Sequence, residues 1–348
     1  MRLLKVGKTH ISDESAPFVI AEIGHNHQGS LEKALQLIRA AAASGATAVK
    51  LQKRNNKRLF TAEAYNEPYN SGNAFGSTYG SHRDFLEFGL DQYQQCINEA
   101  KKLDVTFFAT AFDFDSADFL NDIGMPIFKI ASGDLRTLPL LKYIAKFNKP
   151  MIISTGGANF ENIDLAVKTI RKFHNEVAIL QCTASYPADY DQLNLNVIKK
   201  LREIYPENVI GYSGHENGIA IPVVAYTLGA RIIEKHFTLN RTLKGTDHAF
   251  SLEPQGMTKM VRDLNRASLA LGDGVKKVYE TEFAPLRKMG KMIIAGQNLS
   301  VGHVITESDL EFRSPADGLS PDLYEEIIGQ VVKFPINQYD PIQLNNLK

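Results

Sequence analysis

A closed (β/α)8 barrel followed by a small β-rich domain is the α/β architecture that this 348-residue sequence predicts, on three observations. From Phe18 to about Leu271, short β-rich apolar runs alternate with longer stretches of helical period, as repeated βα units around a parallel sheet do. The runs number eight, the count that closes a barrel, although strand count alone also fits an open doubly wound sheet. The chain also exceeds the roughly 250 residues typical of one such barrel, which leaves a surplus for a second, smaller unit.

The eight runs, in order, are FVIAEIG, AVKLQ, TFFATA, IFKIAS, MIIST, VAILQCT, VIGYSG and IIEKHFT. Between them lie amphipathic segments such as Leu31 to Ala43, Asp91 to Leu103, Ile163 to Phe173 and Asn196 to Tyr205. Gly45, Gly124 and Gly229 close helices, where a left-handed terminal residue is least costly for glycine. The connection after AVKLQ, from Lys53 to Phe88, is far longer than the usual few residues. Its Gly, Asn, Ser and Tyr content predicts an ordered excursion over the face where barrel active sites lie. The barrel domain is placed at residues 1–275, with its last helix from Met257 to Leu271. Residues 276–288 read as a polar linker, and residues 289–348, with the runs MIIAGQNLS and VVKFPI, as a β-rich domain marginal as an independent folder.

Lys plus Arg and Asp plus Glu both total 39, so the formal net charge is zero, which argues against a nucleic-acid partner or an anionic membrane held by a global positive field. With 44% hydrophobic and 22% charged residues the chain has material for a packed core. Two cysteines, Cys96 and Cys182, make no disulfide framework. No signal-peptide form and no membrane-length apolar run occurs, so a cytoplasmic location is expected.

Strands buried on both faces should be apolar throughout, so polar residues near their carboxyl ends stand out. These are Glu22 on the first run, Lys50 and Gln52 on the second, Thr110 on the third, and Lys129 with Ser132 and Asp134 on the fourth. Ser154 and Thr155 end the fifth, Gln181 and Thr183 the sixth, Ser213 and His215 the seventh, and Glu234, Lys235 and His236 the eighth. Glu234 and Lys235 alternate and are read as facing outward between helices. His215 and His236 end adjacent strands, so their imidazoles can share one divalent cation with positions left open, with His25 and His27 as second-rank candidates. Lys50 and Lys129, with Lys53 nearby and the hydroxyls of Ser132, Ser154, Thr155 and Ser213, suit a phosphate or carboxylate ligand. The structural alternative is that each lysine pairs with Glu22 or Asp134.

In order along the chain, AEIGHNHQGS, KLQ, FKIASGD, ISTGG, QCTASYP, GYSGHE, EKHFTL and GTDHAFSLEP resemble the sialic acid synthase family, and the tail from about Met289 is similar to its antifreeze-like (SAF) domain. The resemblance covers essentially the whole chain. It implies condensation of phosphoenolpyruvate with N-acetylmannosamine or a related N-acetylated amino sugar, with release of phosphate, in a domain-swapped homodimer. It implies His215 and His236 as ligands of a divalent metal, Mn²⁺ with Mg²⁺ or Co²⁺ as alternatives. It implies Lys50, Lys129, Ser132, Ser154 and Ser213, beside Thr110, around phosphoenolpyruvate. Glu22, Gln52, Tyr186 and Asp247 match positions facing the sugar, and Arg313 matches an arginine that reaches the partner's active site. Asp134 stands where many relatives carry Glu in a water-activating role, Ala184 where an Asn is common, and Arg313-Ser314-Pro315 where Arg-Pro-Gly is usual. The acceptor remains open among N-acetylmannosamine, its 6-phosphate and diacetamido hexoses. From the residues alone, two other readings stand beside it: a Schiff-base aldolase using Lys129, and a carbohydrate- or ice-binding tail supported by the barrel.

Overall fold

The computed structural model describes residues 2–348. The chain divides between Gly272 and Asp273 into two compact units. The first opens with a hairpin of β1 (Leu3–Val6) and β2 (Thr9–Ser12), which the sequence reading did not foresee. Leu4, Val6 and Ile11 enter the main hydrophobic core. Arg231, just ahead of the last barrel strand, donates to the Asp13 carbonyl at 2.9 Å, so the hairpin sits at the amino-terminal end of the strands, opposite the site described below.

All eight expected strands form: β3 (Phe18–Gly24), β4 (Ala48–Lys53), β5 (Thr106–Ala111), β6 (Phe128–Ile130), β7 (Met151–Ser154), β8 (Val177–Cys182), β9 (Val209–Gly214) and β10 (Ile232–His236). They close in the order β10-β3-β4-β5-β6-β7-β8-β9, every pair parallel, so the barrel and not the open sheet is correct. The strands are buried on both faces because helices cover the outside, which is why they read as continuous apolar runs. Helices Leu31–Ala43, Leu90–Lys102, Phe160–Arg171 and Asn196–Ile204 fall where the amphipathic period placed them. At the end of one barrel helix, Gly229 has φ +107°, and a Cβ there would lie 2.4 Å from Arg202 Cδ, so the turn has room only for glycine.

The long connection after β4 is ordered as expected, with short helices Asn56–Leu59, Ala62–Asn66 and Tyr79–Phe85. A reciprocal cap between Thr78 and Ser81 starts the last of these. Stacking of Phe75 on Phe85 (5.2 Å) and edge contact of Tyr69 with Tyr79 (5.5 Å) give the excursion a partly exposed aromatic cluster of its own.

The second unit, Asp273–Lys348, pairs β11 (Met292–Ala295) antiparallel with β12 (Leu310–Arg313) around Ile293, Leu299, Ile305, Ile327, Val332, Ile336 and Ile342. Part of the stretch read as a linker is helical, over Glu280–Met289. Glu280 and Glu282 in its first turn and Arg287 and Lys288 in its last match the helix dipole, and Glu282 caps the Tyr279 amide at 2.7 Å. The charge that suggested a solvated linker therefore suits a helix equally well.

Asp309 anchors this unit. Only 1% exposed, its carboxylate accepts from His303 Nε2 and from the Thr306 amide and hydroxyl, each at 2.8 Å, and from Gln297 at 2.5 Å. Burial alone would raise its pKa; the surrounding donors overcome that and hold it well below the ordinary carboxylate range. Stability from a depressed carboxylate is present above its unfolded value, near 4, and is lost as pH falls through the folded value. Asp309→Ala is expected to cost about 2 to 3 kcal/mol at pH 7 and progressively less below pH 4, read by denaturant unfolding of the whole chain at both pH values.

Candidate active site

The carboxyl ends of the barrel strands enclose a cavity of about 700 Å³. Strand periodicity decides what reaches it, because alternate residues share a face. On β4, Lys50 and Gln52 line the cavity while Lys53 turns away to Glu87 at 3.2 Å, correcting its placement near the mouth. On β10, Glu234 and His236 line it. Lys235 points out between the helices as expected, into a buried pair with Glu216 at 2.9 Å, and the Tyr212 hydroxyl donates to the same carboxylate. Glu234 was expected to face outward beside Lys235. The correction follows from the period of two: if His236 points in, so does Glu234.

Two buried ammonium groups form the cavity's cationic floor. Lys50 Nζ lies 2.6 Å from Glu22 Oε2 and donates to Thr110 Oγ1 at 2.7 Å. Lys129 Nζ donates to Ser154 Oγ at 2.7 Å and to the Ile130 carbonyl at 3.1 Å. Both ammoniums stand 3.8 Å from Glu234 Oε1. The expected pairing of Lys50 with Glu22 is present, whereas Lys129 meets Glu234 and not Asp134. Burial would raise the Glu234 carboxyl, and the two lysines outweigh it and hold it below its ordinary value. Gln52 donates to Glu22 Oε1 at 2.7 Å, and Ser213 lies 3.4 Å from Glu234.

Ser132 accepts from the Gly156 amide at 3.0 Å. A Cβ on Gly156 would stand 2.8 Å from both Ser132 Oγ and Ala184 Cβ, so this close approach requires glycine. Thr155 leaves the group of anion-facing hydroxyls, since its own donates to the Leu180 carbonyl at 2.9 Å.

The two strand-end histidines do converge, with ring centroids 5.5 Å apart, and Tyr186 and Phe250 pack against them. His215 Nδ1 lies 2.8 Å from the Thr183 carbonyl, which fixes the proton on Nδ1 and leaves Nε2 with the lone pair. Burial first, and His236 second, push its pKa down to about 3, so the ring is neutral at neutral pH. His236 Nδ1 is buried without a hydrogen-bond partner, and Asp247 Oδ2 is 3.7 Å away. Two imidazoles with an oriented lone pair and an orphaned buried nitrogen fit a divalent cation. Among the described residues no group of three or more His, Cys, Asp or Glu gathers for a metal. An ion here would therefore rest on His215 and His236, with its other positions filled by substrate and water.

His25 and His27 do not join them. His25 is wedged between Arg54 and Arg83, and His27 stacks on Phe88 at 4.1 Å. Asp247 and Tyr186 line the cavity. Asp134 does not; it follows the wall residue Gly133 on a 3-10 turn. Arg313 belongs to the second unit, where Glu311 holds it at 2.7 and 2.5 Å and its guanidinium lies 4.1 Å over Tyr339. Beyond Glu234, strand-end reading missed Arg54, Asn73, Arg83 and Phe112, all on the cavity wall. Arg54 and Phe112 lie just past strand ends, and Asn73 and Arg83 are in the long connection, which the covering-loop reading brought to this face without saying which side chains turn inward.

Fold and cavity together define a (β/α)8-barrel enzyme that works on a small anionic substrate at the carboxyl ends of its strands. The chain belongs to the NeuB family, whose model matches residues 37–276, and a SAF domain follows at residues 290–348. It is similar to the human N-acetylneuraminate-9-phosphate synthase, at 36% identity over 93% of this chain and 91% of that protein. It is also similar to the N,N'-diacetyllegionaminic acid synthase of Campylobacter jejuni, at 38% identity over 90% of this chain and 95% of that one. Among solved structures, the N-acetylneuraminic acid synthetase of Leptospira borgpetersenii superposes with a TM-score of 0.72 at 34% identity, covering 82% of this chain and 95% of that chain. The family assignment makes this chain a synthase of sialic acid type. No helix among the described residues is long and apolar enough to cross a membrane.

Proposed function

We propose that the protein condenses phosphoenolpyruvate with the aldehyde of an N-acetylated amino sugar, N-acetylmannosamine or a close derivative, and releases phosphate. The observation that carries this reading is the joining, in one cavity, of Lys50, Lys129, Ser132, Ser154 and Ser213 with the imidazoles of His215 and His236. The lysines and hydroxyls bind the carboxylate and phosphate of the enolpyruvate, and Thr110 orients Lys50. His215 and His236 would hold a divalent cation, Mn²⁺ or alternatively Mg²⁺ or Co²⁺, which when bound supplies Lewis-acid polarisation of the sugar's carbonyl oxygen.

The enolpyruvate methylene carbon then forms the new bond to the aldehyde carbon, and the former carbonyl oxygen takes a proton. Water adds to the enol carbon, and the tetrahedral product expels phosphate together with the bridging oxygen. Holding both reactants in line contributes about 7 to 11 kcal/mol to lowering the barrier. Glu22, on the wall and oriented by Lys50 and Gln52, takes the proton from water in preference to Asp134, which is off the wall. General-base removal costs about 10²- to 10⁴-fold, so Glu22→Gln is expected to lower kcat by that factor and Asp134→Asn by less than tenfold.

Asp134 has a separate signature. Burial raises its carboxyl to about 6, so between about pH 4 and 6 the folded chain holds a proton that the unfolded chain has released. Its contribution to stability therefore falls as pH rises through that window, and Asp134→Asn is expected to flatten the fall in denaturant titrations.

The reaction itself is tested by following phosphate release from phosphoenolpyruvate with N-acetylmannosamine, its 6-phosphate and the diacetamido hexoses as acceptors, with and without a chelator. Bridging-oxygen label that stays with the sugar acid would refute C–O cleavage. Inactivation by borohydride with pyruvate would instead support a Schiff base on Lys129. The domain-swapped homodimer, with Arg313 reaching the partner's cavity, belongs to the same proposal. Arg313→Ala is expected to raise KM for the acceptor and not for phosphoenolpyruvate, and full activity after removal of residues 289–348 would refute it.

A further inference from the structure

The cavity wall carries two kinds of cation. Lys50 and Lys129 face Glu22 and Glu234 within 3.8 Å. Arg54 and Arg83, by contrast, make no salt bridge among the described residues, although Arg54 is only 8% exposed. The side-chain partners of their guanidiniums are uncharged. Arg54 Nη1 lies 3.0 Å from His25 Nε2 with its guanidinium 3.6 Å over the Phe112 ring, and Arg83 Nη1 lies 3.1 Å from His25 Nδ1 while donating to the Tyr79 hydroxyl.

One imidazole thus separates two guanidiniums. A neutral ring has one lone pair and one N–H, so it can accept from only one of them, and the other contact sets two donors face to face. Burial, then Arg54 and Arg83, depress His25 well below its usual value, so it adds no third charge. The nearest acids serve elsewhere: Glu87 holds Lys53 at 3.2 Å and lies 3.7 Å from His25, and Asp247 lies 3.7 Å from His236. Glu87 accepts from the Arg54 backbone amide at 3.1 Å and, with Asp247, acts on the guanidiniums from a distance, but neither carboxylate contacts them, so two cations held together, one of them buried, are only partly compensated until an anion arrives. Asn73 lines the same stretch of wall, and because its Oδ1 accepts from the Gly245 amide, its amide N–H groups remain to donate.

We propose that Arg54 and Arg83, assisted by Asn73, bind a phosphate ester carried by the acceptor sugar at the end remote from its aldehyde. The two guanidiniums suit a tetrahedral dianion, which two forked donors grip better than they grip a hydroxyl. They come from the residue after β4 and from the long connection, whereas the lysines come from within the strands. The cavity accordingly offers two anion sites, one for the enolpyruvate and one for the acceptor. The inference rests on the condensation proposed above and names its acceptor class, a 6-phosphorylated N-acyl hexosamine.

The test uses the full chain with a divalent cation and saturating phosphoenolpyruvate, comparing N-acetylmannosamine with its 6-phosphate by phosphate release. The ester is expected to be preferred at least 100-fold in kcat/KM. Arg54→Gln and Arg83→Gln should each raise KM for the ester 10- to 100-fold and KM for phosphoenolpyruvate less than threefold, with Arg54→Lys and Arg83→Lys in between. Melting temperature and residual turnover of the unphosphorylated sugar show that the variants are folded. Equal use of both acceptors, or variants that weaken phosphoenolpyruvate instead, would overturn the inference and leave the condensation standing. If neither acceptor drives phosphate release, the condensation itself fails and the inference falls with it.

Discussion

His236→Leu is expected to lower kcat by about three orders of magnitude while raising the melting temperature by roughly 2 to 4 °C. The two effects have one cause. His236 Nδ1 is buried without a hydrogen-bond partner, and an unsatisfied buried polar atom costs about 1 to 3 kcal/mol. Leucine has similar bulk, suits the neighbouring Phe250, and removes that cost. In the proposed condensation this ring holds the cation, and sites of this kind trade stability for activity. His215→Leu should lose as much activity with no gain in stability, because His215 Nδ1 is already satisfied by the Thr183 carbonyl and its removal costs that hydrogen bond. Calorimetry beside turnover measurements checks both. A melting temperature for His236→Leu several degrees below the parent would show that the ring is structural.

Lys129→Met is expected to be the most damaging single change on the floor of the barrel. It removes the ammonium that donates to Ser154 and faces Glu234, whose Oε2 has no hydrogen-bond partner of its own. Breaking a buried pair from one side leaves an uncompensated charge and costs about 3 to 5 kcal/mol. Lys50 at 3.8 Å retains part of the compensation, so the lower end is expected. KM for phosphoenolpyruvate should rise at least 100-fold. Lys129→Met with Glu234→Leu is expected to restore most of the stability and none of the activity, a non-additivity that a double-mutant cycle reads directly. Recovery of activity in the double variant would mean that the pair serves packing alone.

Most of the barrel was legible in the sequence because its signals are local. Runs such as VAILQC and FVIAEIG are apolar on both faces, glycines punctuate the helix ends, and the eight strands appear where those runs lie. The β1–β2 hairpin escaped because its four-residue strands carry too few positions for a period to show. The helix Glu280–Met289 escaped because it buries none of its residues and so has no apolar stripe.

Fold class, second unit and the chemical inventory of the site, lysines, hydroxyls, carboxylates and two histidines at strand ends, follow from the amino-acid order alone. How these groups combine depends on the closed barrel. It turned Glu234 into the cavity and Lys235 out, gave Lys129 to Glu234 and not Asp134, placed Lys53 on Glu87, and set His25 between two arginines that meet no carboxylate. The physical reason is that secondary structure follows from hydrophobic period within a dozen residues, whereas a buried charge is settled by whichever partner the barrel's closure brings within about 4 Å. Lys129 and Glu234 are far apart along the chain, and closing β10 onto β3 and β9 brings them to 3.8 Å.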